Sequence, residues 1–169
     1  MTPSDVLALE NFDAIEVFNT GCECLMHAGR ADIYWDLLLE QGRHVWGIAA
    51  DDTHGKTSHP DRFGGWIMVR SEQRSAKDII AQMRSGAYYL SQGPSIFDWG
   101  LESGEIYFNC SPCKEIHITT YPTRGKAIFA EGDEELSSIK YKLKGGEKYI
   151  RIECVDESGK TAWTNPHFF

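Results

Sequence analysis

The sequence predicts an α/β unit followed by an antiparallel β-sandwich-like unit, which makes the whole chain α+β. Up to residue 94, hydrophobic strand-like segments alternate with helical patterns, as is typical of parallel sheets. From residue 95 onward, short strand-like segments follow one another with Gly-containing turns and no helix between them. We therefore expect two domains, residues 1–94 and residues 95–169.

The composition is that of a globular protein with a packed core. The chain has 169 residues, of which 41% are hydrophobic and 12% aromatic. Its net charge of -8 argues against nucleic acid as a partner, because neutralising phosphates requires clustered Lys and Arg. There is no apolar run of about 18 residues and no signal-like amino terminus, so we expect no membrane span and a cytoplasmic location.

The first elements form a strand–helix–strand succession. They are a short helix within residues 1–11, a strand over 12–18, a helix over 32–41 and a strand over 45–50. Such a succession predicts that the two strands are parallel, with the helix crossing over the sheet. Four-apart apolar pairs on that helix, Ile33 with Leu37 and Tyr34 with Leu38, are expected to lie on the sheet.

The strand over 45–50 ends in a group of polar side chains. The strand is apolar without alternation, which predicts burial on both faces. In parallel α/β folds the reacting groups gather beyond the carboxyl ends of the strands, where Asp51, Asp52 and His54 stand. A carboxylate and an imidazole two residues apart suit Zn, Mn or Fe. The alternative is a polar turn stabilised by local hydrogen bonds.

Other polar residues are expected near this strand end. Asn19 follows the preceding strand and should face the same site. Glu16 lies within that strand, where an acid is costly unless paired or metal-bound, or else it faces solvent. In the following polar loop, Lys56 or Arg62 has the charge to hold a substrate phosphate, and a solvated loop is the alternative.

The first domain is expected to continue with a strand, a helix and a strand. These cover residues 66–69, 75–85 and 87–90. Ser75 is expected to cap the helix. The pairs Ile79 with Met83 and Ala76 with Ile80 are expected to form its buried stripe.

The second domain shows strand patterns but no catalytic constellation. Strands are predicted over 106–110, 115–120, 126–130, 139–143 and 149–155. Trp99 and Trp163 would suit a carbohydrate-binding surface, but such aromatic residues more often belong to the core.

Five cysteines without a secretory signal favour free thiols over a disulfide framework. The alternative is structural zinc held by two cysteine pairs, Cys22 with Cys24 and Cys110 with Cys113. The C-x-C spacing of the first pair argues against zinc. Cys154 falls in an alternating strand and is expected in the core.

Two long stretches resemble the later part of the PHP family of metal-dependent phosphoesterases. They are WDLLLEQGRHVWGIAADDTH and GGWIMVRSEQRSAKDIIAQMRSGAYYLSQGPSIFDW, with NFDAIEVFNTG before them and AWTNPHFF at the end. The resemblance is to the branch with an appended β-rich domain. It implies a partial (βα) barrel, with Asp52 and His54 as ligands of divalent Mn, Zn or Fe ions. The implied reaction is hydrolysis of a small phosphorylated substrate by metal-activated water. Asn19, Asp51, Lys56 and Glu16 would then bind substrate or hold the ligands in place.

The chain departs from the family pattern, because family members begin with an H-x-H strand end that is absent here. The six histidines are His27, His44, His54, His59, His117 and His167. The chain therefore resembles only the later part of such an enzyme, expected to be weak or inactive alone, and no catalytic residue is assigned. The alternative is a non-catalytic binding or assembly module. An open barrel edge would be covered by residues 1–11, by a second copy or by a partner chain.

Overall fold

The computed structural model describes residues 2–55 and 58–169, and the chain divides into two compact units. They comprise residues 1–92 and 93–169. The first unit contains α1 (Pro3–Leu7), β1 (Ala14–Asn19), α2 (Thr20–Met26), α3 (Asp32–Glu40), β2 (Trp46–Ala50), β3 (Trp66–Val69), α4 (Ala76–Arg84) and β4 (Tyr88–Ser91). The second contains β5 (Ile96–Glu102), β6 (Glu105–Cys113), β7 (Glu115–Tyr121), β8 (Lys126–Phe129), β9 (Leu136–Lys142), β10 (Tyr149–Val155), β11 (Thr161–Thr164) and β12 (His167–Phe168).

The fold is β-rich, and the predicted partial (βα) barrel of PHP type is wrong. Strands make up 40% of the chain and helices 18%, and the described residues form no closed barrel. β1 and β2 do pair in parallel, as predicted, with Asn19 opposite Ala50. β3 and β4, which a barrel would need to be parallel, pair antiparallel, with Trp66 opposite Ser91. The barrel edge that was expected to recruit another chain is therefore not a feature of this fold.

Helix α4 shows why the barrel prediction failed. Ser75 caps this helix as predicted, since its side chain accepts a hydrogen bond from the Asp78 N–H at 3.2 Å. No residue of α4 is buried, and Ile79 and Ile80 are exposed, so the predicted buried stripe is wrong. A helix that buries no face does not cross over a sheet, and the strands on either side of it run in opposite directions.

The core of the first unit lies between α3 and the parallel pair. Trp35 is fully buried, and its indole N–H donates to the Val45 carbonyl oxygen at 2.9 Å. Leu38 is buried as predicted, but Ile33 is exposed, so the predicted stripe is partly wrong. Gly47 permits this packing, because a Cβ atom there would lie 2.7 Å from the Trp35 ring. Burial alternates along β2 and is complete on one face only, not on both as predicted.

The second unit is built from two antiparallel sheets. One has the order β5-β6-β9; in the other, β10 pairs with β7, β11 and β12, and β7 with β8. The sheets pack together, because β6 contacts β10 and β5 contacts β11. The fully buried core includes Ile106, Phe108, Ile116, Ile150, Ile152 and Trp163. The sequence predicted β6 through β10, with shifted ends, and missed β5, β11 and β12.

Glu147 makes the stability of the second unit depend on pH. This carboxylate is buried and accepts hydrogen bonds from the Lys144 N–H at 2.8 Å and the Thr123 hydroxyl at 3.2 Å. Burial raises the pKa of Glu147, but the hydrogen bonds outweigh burial and hold it below the ordinary value of 4.5. The stabilisation is therefore complete above that value and lost as the pH falls through the lower, folded-state pKa.

We expect the free energy of unfolding of the parent protein to decrease on acidification. In Glu147→Gln this decrease should be smaller, because the titrating carboxylate is absent. Urea unfolding at a series of pH values measures it. The exposed Glu157 offers a matched control, because Glu157→Gln should leave the pH dependence unchanged. Equal pH dependence in the parent protein and Glu147→Gln would contradict this account.

Candidate functional site

The candidate site lies at the carboxyl ends of β1 and β2. The parallel register places Asn19 opposite Ala50, so the residues that follow both strands meet at one edge. The Gly21 N–H donates to the Asp51 carbonyl oxygen at 3.0 Å, which joins the start of α2 to the end of β2. The sequence predicted this meeting of Asn19 with the aspartates, but it did not predict α2.

Asn19 is held by hydrogen bonds on both sides of its amide. Its Oδ1 accepts from the Cys22 N–H at 2.7 Å and so caps α2. Its Nδ2 donates to Glu16 Oε2 at 2.9 Å and to Asp52 Oδ2 at 3.4 Å. The helix cap fixes which side of the amide faces the acids, since only the nitrogen can donate. A single donor group, the Asn19 Nδ2, thereby contacts both the Glu16 and the Asp52 carboxylates.

The carboxylates of Glu16 and Asp52 both accept hydrogen bonds from the Asn19 side-chain amide. Among the described residues, no Lys or Arg forms an ion pair with either carboxylate. Both residues are exposed, so an ion from solvent can reach them. Two carboxylates that share a donor and form no ion pair with a described Lys or Arg match the preference of divalent cations for oxygen ligands.

Asp51 has a different role, because it anchors the loop before β3. Its carboxylate accepts hydrogen bonds from the backbone N–H groups of Phe63, Gly64 and Gly65 at 2.6, 2.9 and 2.9 Å, and from the Thr20 hydroxyl at 3.1 Å. Burial raises the pKa of Asp51, but these four hydrogen bonds outweigh it and lower the pKa overall. With its oxygens engaged in this way, Asp51 holds the loop in place rather than facing the site.

The backbone separates the two neighbouring aspartates. Asp52 adopts a left-handed conformation with φ of 51°, which aspartate tolerates better than most residues. At this turn the Asp51 carboxylate binds the loop, while the Asp52 carboxylate contacts Asn19. Two aspartates that are adjacent in the sequence therefore lie in different environments.

His54 is paired with Asp61, a residue that the sequence did not single out. The backbone N–H of His54 donates to Asp61 Oδ2 at 2.9 Å, and the imidazole Nδ1 lies 3.9 Å from the same oxygen. The Asp61 side chain is fully buried, whereas that of His54 is 58% exposed. Within the described part of the chain, Asp61 Oδ1 and the buried Nδ1 of His59 have no hydrogen-bond partner. Asp61 stands in a polar loop without periodicity, so no sequence signal marked it as buried.

The described residues do not contain a complete set of metal ligands. No group of three or more His, Cys, Asp or Glu side chains within residues 2–55 and 58–169 is arranged to hold a metal ion. Glu16 and Asp52 are two oxygen donors that share the Asn19 amide, and His54 does not join them as a third ligand. Lys56 lies outside the described residues. Trp163, the alternative carbohydrate contact, is fully buried in the core.

The fold and site together define a β-rich protein of two units with an acidic pair at the end of a parallel strand pair. Comparison of the chain with protein-family models, with curated proteins and with solved structures finds no match. None of the helices in the described part of the chain has the length and apolar character required to cross a membrane.

Proposed function

We propose that this chain carries part of the divalent-cation site of a metal-dependent phosphoester hydrolase. The observation that carries the proposal is the acidic pair of Glu16 and Asp52, held beside the Asn19 amide with no ion pair to any described Lys or Arg. Two such carboxylates repel each other, and a cation between them relieves that repulsion. The resemblance of the Asp52-Thr53-His54 segment to a metal-binding D-x-H motif supports the same reaction class.

Each residue has a role in this proposal. Asp52 and Glu16 hold the cation through oxygen, and Asn19 keeps the two carboxylates in place. His54 is an exposed imidazole on the same segment as Asp52; it lies outside the acidic pair, and Asp61 holds its backbone. Asp51 holds the loop over 63–65 near the site. When bound, a divalent ion of the Mn, Zn or Fe type polarises a phosphoryl oxygen and activates water.

The small number of donors predicts weak activity for the isolated chain. Phosphoester hydrolysis by metal ions requires a preorganised ligand cluster, and the described residues offer only an acidic pair and one nearby imidazole. We therefore expect weak cation binding and slow or no phosphate release. Further ligands would come from another polypeptide segment.

Titration with Mn²⁺, followed by calorimetry or by paramagnetic broadening of NMR signals, tests the proposal. Asp52→Asn and Glu16→Gln are each expected to weaken Mn²⁺ binding about tenfold, a loss of about 1.4 kcal/mol. Asp13→Asn is the matched control, because Asp13 is an exposed acid next to the same strand. Mn²⁺ binding that neither substitution weakens would refute the site. Fast phosphate release by the parent protein that is abolished in His54→Ala would contradict the expectation of weak activity, but it would not contradict the cation site.

A second candidate function is a non-catalytic binding or assembly module. It is favoured by apolar side chains exposed on strands at sheet edges in the second unit, Phe97 and Leu101 on β5 and Phe129 on β8. Edge strands with exposed apolar residues are prone to pair with another chain. Self-association in light scattering, together with absent Mn²⁺ binding, would favour this module over the hydrolase.

A further inference from the structure

Two buried thiols in the second unit lie in contact. Cys110 is 2% exposed and Cys113 is 1% exposed, and their Sγ atoms are 3.7 Å apart. In a regular strand, residues three apart point to opposite faces, so their thiols do not meet. The contact therefore requires an irregular strand.

The irregularity is a bulge in β6 against β9. Asn109 stands opposite Ser138, and Cys113 stands opposite Leu136. An advance of four residues along β6 therefore corresponds to an advance of two residues along β9. The two extra residues turn both cysteines into the core. Bulges of this kind redirect side chains that a regular strand would separate.

The neighbours of the pair keep both cysteines as thiols in the absence of an oxidant. The hydrogen bond with Cys113 lowers the pKa of Cys110, but the contact with buried Cys154 and desolvation raise it to about 12. The contact with Cys110 and burial raise the pKa of Cys113. Cys113 also donates to the Leu136 carbonyl oxygen at 3.2 Å, which fixes its orientation. Because thiolates are the nucleophiles in thiol oxidation, the reaction should be slow at neutral pH.

We propose that Cys110 and Cys113 form a reversible disulfide when the folded protein meets a small peroxide. The gap between the sulfur atoms closes from 3.7 Å to the bonded distance of about 2.05 Å. A peroxide is close to water in size, so it can enter a core that excludes larger oxidants. Burial then protects the disulfide, so only a small thiol reductant reverses it.

The chemistry balances with hydrogen peroxide as the oxidant. One cysteine thiol loses its proton, and the thiolate attacks a peroxide oxygen, which forms an S–O bond, breaks the O–O bond and releases hydroxide that takes up the proton as water. The second thiol loses its proton in the same way, and its thiolate attacks that sulfur, which forms the S–S bond and releases hydroxide that takes up the second proton as water. Two thiols lose two electrons and two protons, and one hydrogen peroxide becomes two waters.

The second close cysteine pair in the sequence serves as an internal comparison. Cys22 and Cys24 are two residues apart on α2, and helical geometry turns such side chains to different sides. Cys24 is exposed, and its thiol donates to the Pro60 carbonyl oxygen at 3.4 Å. Exposure alone would favour oxidation of Cys24, whereas the geometry favours disulfide formation by Cys110 and Cys113.

The test is peptide mass spectrometry on the intact folded protein. The chain is treated with hydrogen peroxide, alkylated in denaturant and digested with trypsin. Residues 85–114 contain Cys110 and Cys113, and residues 1–30 contain Cys22 and Cys24. We expect peptide 85–114 to be two hydrogens lighter and to escape alkylation, and dithiothreitol should reverse both changes. Peptide 1–30 is expected to keep both thiols or to gain oxygen. Cys154→Ala should preserve this pattern.

Two results would overturn the proposal. One is a peptide 85–114 that remains fully alkylated after peroxide treatment of the folded protein. The other is a cross-link between peptide 85–114 and residues 152–160, which would show that Cys154 is the partner. A sample unfolded in urea before peroxide treatment gives the pairing expected without the fold, so the same distribution of disulfides among the five cysteines in the folded protein would also count against the proposal.

Discussion

Asp51→Ala is expected to lower the free energy of unfolding by about 3 kcal/mol, because hydrogen bonds to a charged group are worth about 1.5–3 kcal/mol each. The carboxylate accepts three backbone N–H groups from Phe63, Gly64 and Gly65 and one hydroxyl from Thr20. Water replaces part of these interactions in the variant, which keeps the expected loss near that of one to two bonds. Urea unfolding measures the loss, and hydrogen exchange at Gly64 and Gly65 should accelerate.

The neighbouring Asp52 gives the matched control. Asp52→Asn removes the charge of a carboxylate that contacts Asn19 at 3.4 Å and keeps a residue that tolerates the φ of 51°, so stability should change by less than about 0.5 kcal/mol. The two variants should also separate in function, since under the proposed cation site Asp52→Asn is expected to weaken Mn²⁺ binding without unfolding the first unit. If both variants destabilise the protein equally, the assignment of Asp51 to the loop is wrong.

Glu153→Leu is expected to destabilise the protein by about 1.5–3 kcal/mol, because it removes a charged acceptor from a buried guanidinium. The Arg151 side chain is 2% exposed and that of Glu153 is 16% exposed, and the guanidinium Nη1 donates to Glu153 Oε1. Both residues lie on β10, two positions apart and so on the same face of the strand. The substitution therefore leaves a buried cation without this carboxylate. Urea unfolding of the whole chain measures the effect.

A double variant separates the charge effect from the loss of packing. Arg151→Met combined with Glu153→Leu replaces both charges with apolar side chains of similar length. Because an apolar pair often substitutes for a buried ion pair at little cost, the double variant should recover most of the lost stability. A double variant as unstable as Glu153→Leu alone would show that packing, and not charge, dominates at this position.

The strands of the second unit were largely predictable because their signal is local. In β10 polar and apolar residues alternate, and Gly-containing turns separate several of the predicted strands. The parallel pairing of β1 and β2 was also predictable, since α3 between them buries Trp35 and Leu38. Strand direction at β3 and β4 was not, because α4 has the helical pattern of a crossover and buries no residue.

The candidate site was predicted in position but not in role. Asn19, Asp51 and Asp52 follow two parallel strands, so their meeting follows from the strand order. Which aspartate contacts Asn19 depends on the φ of 51° at Asp52 and on the loop amides that bind Asp51. Both are long-range features that no short window of sequence contains.

The sequence by itself determined where most strands and helices lie and which polar residues follow the parallel pair, because periodicity and strand ends are properties of neighbouring residues. Only the tertiary structure decided that β3 and β4 run antiparallel, that Asp61 is buried beneath His54, and that Cys110 meets Cys113 across a bulge. These features arise where segments distant in sequence compete for the same hydrogen bonds and the same buried volume, and the result of that competition is set by packing in three dimensions.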